Sequence, residues 1–329
     1  MDKHNLTVVN EFILMGITDI PELQAPLFGF FLIVYMLSVV GNLGLIILTK
    51  IDSRLQTPMY FFLRHLAFTD FGYSTAVGPK MLVNFVVAQH IISYNWCATQ
   101  FTFFSIFISS EIFILSAMAY DRYVAICNPL LYMILMSQRA RRVLVAIPYL
   151  YSVFLTLLTI TKIFTSSFCG SNIVKHFYCD ILPLISLLCS GTQEIKLIIL
   201  VFSAFNLISS LLIVLVSYIL ILVAILRMNS AEGRYKAFST CGSHLTVITV
   251  FYGTLFFMYV HPKSSHSLVI DKMASLFYTL IIPMLNPMIY SLRNKEVKNA
   301  LCRTWKMCVN HLFKIHCIYN KLCNNKYMH

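Results

Sequence analysis

The sequence predicts an all-helical membrane protein, a bundle of seven transmembrane helices with a short interfacial helix after the seventh. Three observations carry this. Hydrophobic residues make up 58% of the 329-residue chain and charged residues only 12%, against about 25% charged in an average soluble domain. The apolar residues gather into seven long runs, each near or above the roughly 20 residues that cross a bilayer as a helix. Lys and Arg gather at the ends of these runs on one side, the pattern that marks the cytoplasmic face.

Residues 1–24 form a mixed tail containing Asp2, Lys3, Glu11, Asp19 and Glu22. The first run, 27–49, exceeds the 7–15 residues or so of a signal-peptide core and reads as a span. Six more follow at 58–80, 97–123, 140–163, 197–227, 237–260 and 272–292. Lipid demands that every backbone N–H and C=O be bonded internally, so these are helices or barrel strands. Barrel strands are about 9–11 residues and alternate; runs such as 197–226 are far longer and uniformly apolar, which selects helices. The chain therefore divides into a tail (1–24), a seven-span domain (25–292) and a terminal segment (293–329), with no internal repeat and no low-complexity tract.

Of 25 Lys and Arg, 18 fall on one side of the seven spans, from Lys50 and Arg54 to Lys321 and Lys326. That side is expected to be cytoplasmic and the N-terminus external. The net charge of +12 would suit nucleic acid, but it sits in short connections between spans, so a membrane partner accounts for it and no nucleic-acid partner is expected. Cys97, Cys169, Cys179 and Cys189 lie on the outer side, where disulfides persist; four cysteines allow three pairings. Asn5-Leu6-Thr7 is a glycosylation acceptor on the external tail. After Asn294, Val297, Leu301, Trp305 and Cys308 share one helical face with Lys298, Arg303 and Lys306 elsewhere, the pattern of an interfacial helix. Cys302 and Cys308 are acylation candidates there.

Polar groups inside spans are costly and therefore functional candidates. Asn42, Asp70, Glu111 and Asn286 lie in spans one, two, three and seven. Two carboxylates and two amides at similar depth could cradle a sodium ion, could hold a proton because desolvation and a neighbouring acid disfavour the charged form, or could simply pack helices through hydrogen bonds. Span three ends in Asp121-Arg122-Tyr123. Span seven ends in Asn286-Pro287-Met288-Ile289-Tyr290, where proline removes a helix hydrogen bond. Tyr218, near the end of span five, can meet Tyr290 on the same inner face.

These strings resemble the rhodopsin-like G-protein-coupled receptors. More specific ones resemble the odorant receptors: Thr57-Pro58-Met59-Tyr60-Phe61-Phe62-Leu63 opening span two, MAYDRYVAIC from Met118 to Cys127, Ser217-Tyr218, KAFSTCGSH from Lys236 to His244, and PMLNPMIYSLRN from Pro283 to Asn294. The segment from Gly16 to Phe28 and the short connection before span seven resemble the tetrapod-type branch. Gln56, Ala67, the pair Arg64-His65 and a tail running well past Ala300 depart from the usual pattern. The resemblance implies disulfides Cys97–Cys179 and Cys169–Cys189. It implies coupling and activation roles for Asp121, Arg122, Tyr123, Tyr218, Asn286, Pro287 and Tyr290, with Arg122 released from Asp121 on activation. Its partners would be a small apolar odorant and a heterotrimeric stimulatory G protein acting on adenylyl cyclase, at the plasma membrane.

The same comparison sets limits. Residues 273–292 contain no lysine to carry retinal, and Phe104 stands where amine receptors place an aspartate. A pocket without charge suits small neutral molecules. Helical spacing collects Phe104, Ser105, Ile108 and Ser109 on span three, Phe202, Ser203 and Asn206 on span five, Tyr252, Leu255 and Tyr259 on span six and Thr279 on span seven as the ligand-binding set. A transporter should show paired broken helices in repeated halves, and an enzyme a nucleophile–base pair or metal cluster. Neither pattern is present, so the chain is expected not to be an enzyme and to require no cofactor beyond a candidate sodium at Asp70, Glu111 and Asn286.

Overall fold

The computed structural model describes residues 9–18, 20–169, 171–189, 191–260, 268–293 and 296–304. Asn5, Trp305 and Cys308 lie outside these, as does the side chain of Tyr259. Seven long helices form the bundle: α1 (Pro21–Ile51), α2 (Pro58–Asn84), α3 (Tyr94–Cys127), α4 (Gln138–Phe164), α5 (Thr192–Leu226), α6 (Ala231–Val260) and α7 (268–293). An eighth, α8, covers 296–304. The helices run a few residues beyond most apolar runs, because capping and polar first and last turns extend a helix past its membrane-facing stretch.

Local chemistry fixes the ends. Pro21 and Pro58 open α1 and α2, where their missing N–H costs nothing. Ser93 and Ser137 cap α3 and α4 by accepting from the Trp96 and Ala140 backbone N–H groups, each at 3.4 Å. Gly191 precedes α5 with φ of 73°, a left-handed conformation open to glycine. At the far end of α1, Gln56 Nε2 donates to the Thr49 and Lys50 carbonyls at 3.3 and 3.2 Å, and Arg64 donates to the Thr49 carbonyl and, at 3.2 Å, to Thr49 Oγ1. Two of the unusual residues in the α1–α2 region thus satisfy the orphan carbonyls of a helix end. His65 packs between Phe61 and Tyr149, 4.9 and 6.0 Å from their ring centres.

Among the described helices, five are long and apolar enough to cross a membrane by length and composition: α1, α3, α4, α5 and the 271–290 part of α7. α6 contributes a shorter apolar stretch, His244–Phe256, and α2 is diluted by Arg64, His65, Asp70 and Lys80. α3 is the axle of the bundle and packs on α2, α4, α5 and α6, while α1 closes against α2 and α7.

The helices are not the whole fold. Three short strands, β1 (Glu11–Leu14), β2 (Ile91–Ser93) and β3 (Ile173–Val174), form a sheet ordered β2-β1-β3. β1 pairs antiparallel with β2 and parallel with β3. The sheet joins the N-terminal tail, the α2–α3 connection and the α4–α5 connection, and buries Phe12 and Leu14 beneath it. The bundle is the seven-helix fold that the sequence predicts, and the sheet is a small addition to it. Strands of two to four residues are too short to leave a period in the sequence.

Helix seven carries the other irregularity. A π-helical turn spans Phe277–Ile281, a form that recurs at functional sites. One turn later Pro287 has no N–H for the Pro283 carbonyl. Asn42 Nδ2 supplies that bond at 2.8 Å and also donates to the Ser38 carbonyl at 2.9 Å. Asn42 Nδ2 is therefore a brace for α7, while its Oδ1 is buried without a hydrogen-bond partner. The approach of α1 is close enough that a Cβ on Gly41 would sit 2.8 Å from Pro287 Cγ, so only glycine fits there.

Candidate functional site

A cavity of about 180 Å³ opens among α3, α4, α5 and the α4–α5 connection. Eight of the eleven residues expected to bind ligand line it: Phe104, Ser105, Ile108, Ser109, Phe202, Ser203, Asn206 and Leu255. Tyr252 and Thr279 are not in this wall. The Tyr252 hydroxyl turns to the Ile112 carbonyl at 3.4 Å, and Thr279 Oγ1 bonds the Ser275 carbonyl of its own helix at 2.7 Å. The wall also includes Leu155, Thr156 and Thr159 of α4, Asp180, Ile181 and Leu182 of the connection, and Tyr278 of α7. The i, i+3 hydroxyls Thr156 and Thr159 were a signal available in the sequence. The loop residues were not, because nothing local shows where a loop folds.

The α4–α5 connection is a lid held from three sides. Disulfides Cys97–Cys179 and Cys169–Cys189 are both formed, with Cα separations of 5.6 and 5.0 Å, the pairing that the resemblance implies. Beside the first, Gln100 Oε1 accepts from the Cys179 N–H at 2.9 Å while its Nε2 donates to the Ala76 carbonyl at 3.1 Å. On the other flank the lid meets α7. His176 Nε2 lies 3.1 Å from Ser275 Oγ, the Tyr178 and Tyr278 hydroxyls are 2.7 Å apart, and the Tyr278 hydroxyl donates to Ser275 Oγ at 3.1 Å. Tyr278 also lines the cavity, so one side chain of the π-helical turn touches both the cavity and the lid. Lys272 Nζ donates to the Gly16 carbonyl at 2.5 Å and fastens the tail.

Burial, and then the charge of Lys272, push His176 down to about 3, from about 6.5 in an open chain. Its partners Ser275 and Tyr178 are neutral, and no described acid pairs with it. The sign follows directly: below about pH 6.5 an opened lid takes up a proton that the closed lid refuses, so closure weakens as pH falls from about 6.5 toward 3. Each unit in that window shifts the opening equilibrium by up to about tenfold. Hydrogen exchange at the His176 and Cys179 amides, corrected for intrinsic rates, should lose roughly tenfold protection between about pH 7 and pH 5.5. His176→Phe should abolish that dependence, and an unchanged slope in this variant would remove His176 as its cause.

Deeper in the bundle, Asp70, Glu111 and Asn286 meet as expected. Asn286 Nδ2 donates to both Asp70 oxygens at 3.1 and 2.9 Å, and the Tyr73 hydroxyl donates to Asp70 Oδ1 at 3.0 Å. Glu111 lies against Asp70 and Tyr73, fully buried, with neither carboxyl oxygen in a hydrogen bond. Two orphaned oxygens beside a second carboxyl are a donor set that suits a bound cation or a proton.

At the basic end of the bundle, Asp121 and Arg122 are both buried but form no ion pair within 4 Å. Asp121 Oδ1 instead accepts from the Tyr132 hydroxyl at 3.0 Å. Burial, and then Asp121, hold the Tyr132 hydroxyl above its usual range. In this structure Arg122 thus already stands apart from Asp121. Its guanidinium already lies among Tyr218, Cys241, His244 and Tyr290, with Nη2 unpaired. Tyr218 and Tyr290 do not bond each other: the Tyr218 hydroxyl meets His244 Nδ1 at 2.7 Å, and the Tyr290 hydroxyl has no partner. Tyr123 packs on Ile221, Ile225 and Cys241. On α8, Val297 and Ala300 are buried while Leu301 is exposed, so the face against the bundle is Val297 with Ala300. Arg303 ties α8 to the α1–α2 connection through Asp52 at 2.6 Å. That bond, followed by the Arg54 N–H, holds the Asp52 carboxyl below its ordinary range.

The bundle aligns with squid rhodopsin at a TM-score of 0.66 over 88% of this chain and 87% of that one, at 19% identity, which establishes the shared fold. The family model of the olfactory receptor matches residues 31–311. The chain belongs to the olfactory receptor family. Human olfactory receptor 8K3 is 73% identical over 310 residues, 94% of this receptor and 99% of the relative. Human olfactory receptors 8K1 and 8K5 are 69% and 66% identical, covering 92% and 93% of this receptor and 96% and 100% of their own length. Membership makes this receptor a multi-pass membrane protein and not an enzyme.

Proposed function

We propose that the receptor binds a small, mainly apolar odorant in the cavity beneath the lid. Binding would activate a stimulatory olfactory G protein at the basic end of the bundle, raising cyclic AMP at the plasma membrane with the N-terminus outside. The observation that carries this reading is the cavity itself. It is walled by aromatic and aliphatic side chains with a few hydroxyls, one amide and, against the expectation of a wall without charge, the Asp180 carboxyl of the lid; Tyr278 links it to the lid and to helix seven. Its volume lies below the 300–1,000 Å³ or so of ordinary drug-sized pockets, which favours small ligands. A ligand shifts the receptor between states only by its differential affinity for them. Tyr278 and the braced Pro287 segment give helix seven the contacts through which such a difference can act. We also assign the site at Asp70, Glu111 and Asn286 to a sodium ion or a proton, either of which would neutralise the buried carboxyls.

Cavity filling tests the reading. Ser203→Phe places a ring in the cavity without touching the basic end. At matched surface levels it should reduce odorant-evoked cyclic AMP by more than about tenfold while sparing basal signalling. A full response to every activating odorant in that variant would move the binding site elsewhere. Loss of the response in cells lacking stimulatory G protein, with recovery on its return, checks the coupling.

A further inference from the structure

The cavity wall is divided by chemistry. Phe104, Ile108 and Leu255 present carbon, while Ser105, Ser203 and Asn206 present polar atoms. The hydroxyls among them rotate and can donate or accept. Asn206 is different, because its amide has one donor end and one acceptor end, and a neighbour determines which end faces the cavity. The Tyr151 hydroxyl lies 2.7 Å from Asn206 Oδ1. The Tyr151 ring stands edge-on to Phe113, with centres 5.5 Å apart at 88°, and against Phe205 at 6.3 Å, so the phenol is held in place. A phenol is a better donor than acceptor, because its oxygen lone pair is drawn into the ring, so its proton goes to Oδ1.

This leaves Asn206 Nδ2 as a donor at the cavity wall. Asn206 is 7% exposed, and its Nδ2 has no protein hydrogen-bond partner among the described residues. A buried donor left unmatched weakens binding of any ligand that ignores it. The described wall holds no Lys, Arg or His to pair with an anionic ligand. The acceptor that fits is therefore neutral.

We propose that the cavity selects small neutral carbonyl compounds (ketones, aldehydes or esters), whose oxygen accepts a hydrogen bond from Asn206 Nδ2. Tyr151 is the positioning residue that fixes the amide. The inference rests on the cavity being the odorant site and adds the functional group that it recognises.

The test uses matched sets that share a carbon skeleton: cyclohexanone, cyclohexanol and cyclohexane, and benzaldehyde, benzyl alcohol and toluene. Dose–response curves for cyclic AMP are taken at matched surface expression. In the native receptor the carbonyl member of an activating set should be about tenfold or more as potent as its hydrocarbon and alcohol partners. Asn206→Leu should lower the carbonyl member to the potency of its hydrocarbon. Tyr151→Phe frees the amide to rotate, so the carbonyl-to-alcohol ratio should fall toward one while hydrocarbon potency stays within about threefold, a readout that a packing defect alone would not move. Asn206→Ser, which keeps a hydroxyl donor and reduces side-chain volume, should retain part of the carbonyl preference. A native receptor that prefers the alcohol or hydrocarbon, or that responds to no carbonyl member, overturns the proposal. So does a carbonyl preference that survives Asn206→Leu. These outcomes are separate from failure of the cavity reading, which would appear as responses to all active compounds surviving Ser203→Phe.

Discussion

Under the proposed coupling, replacing Arg122 by alanine is expected to abolish odorant-evoked cyclic AMP, a loss of more than about a hundredfold, while odorant affinity stays within about threefold of native. The guanidinium is buried at the basic end, among Tyr218, Cys241, His244 and Tyr290. Asp121 is committed to Tyr132, so the arginine is not held by an acid within 4 Å, and a strong multidentate donor of this kind is poised for backbone carbonyls of a partner. The cavity is walled by residues nearer the lid and shares none of these side chains. Arg122→Lys should recover only a small part of the signal, because a point charge does not reproduce a planar fork. The measurement is cyclic AMP against surface-normalised ligand binding. Native signalling from Arg122→Ala at equal surface level would show that the partner docks without it.

The second large effect is expected at the buried acids. Asp70→Asn and Glu111→Gln should each shift odorant potency or basal activity by about tenfold or more, and the double variant should resemble the larger single change. Asp70 takes both bonds from Asn286 and one from Tyr73, whereas Glu111 next to it has none. A bare pair of carboxylates at this burial is costly, and under the proposed assignment one shared cation or proton would serve both. Removing either charge removes the need for it, which makes the two substitutions non-additive by about 0.5–3 kcal/mol. Sodium titration separates the two occupants: a sodium site gives a response that depends on external sodium and loses that dependence in Asp70→Asn, while a proton site gives a pH dependence instead. Fully additive effects would mean that the acids act apart.

The spans could be read because lipid permits so few backbone solutions, and a run such as 197–226 has only one. The cluster at Asp70, Glu111 and Asn286 could also be read, since charge inside a span is conspicuous whatever its fold. Asn42 was visible for the same reason, but its bracing bond was not: the bond to the Pro283 carbonyl answers a vacancy created by Pro287, more than two hundred residues away. The lid was closed to sequence reasoning. His176, Tyr178, Ser275 and Tyr278 come together only through tertiary packing, and the strands beneath the lid are too short to show alternation. The polar residues Gln56 and Arg64 looked like departures and proved to be the caps of α1.

The β2-β1-β3 sheet sets an order of assembly. Its middle strand is made first, and its partner β3 follows about 160 residues later, as the pairing of Ile13 with Ile173 shows. At ribosomal speeds of roughly 5–20 residues per second, the tail waits some ten to thirty seconds with a hydrogen-bonding edge and two large apolar side chains uncovered. Such an edge invites capture by chaperones during synthesis. The β3 side of the sheet can therefore close only after α4 has been made, and the tail and the lid complete each other late.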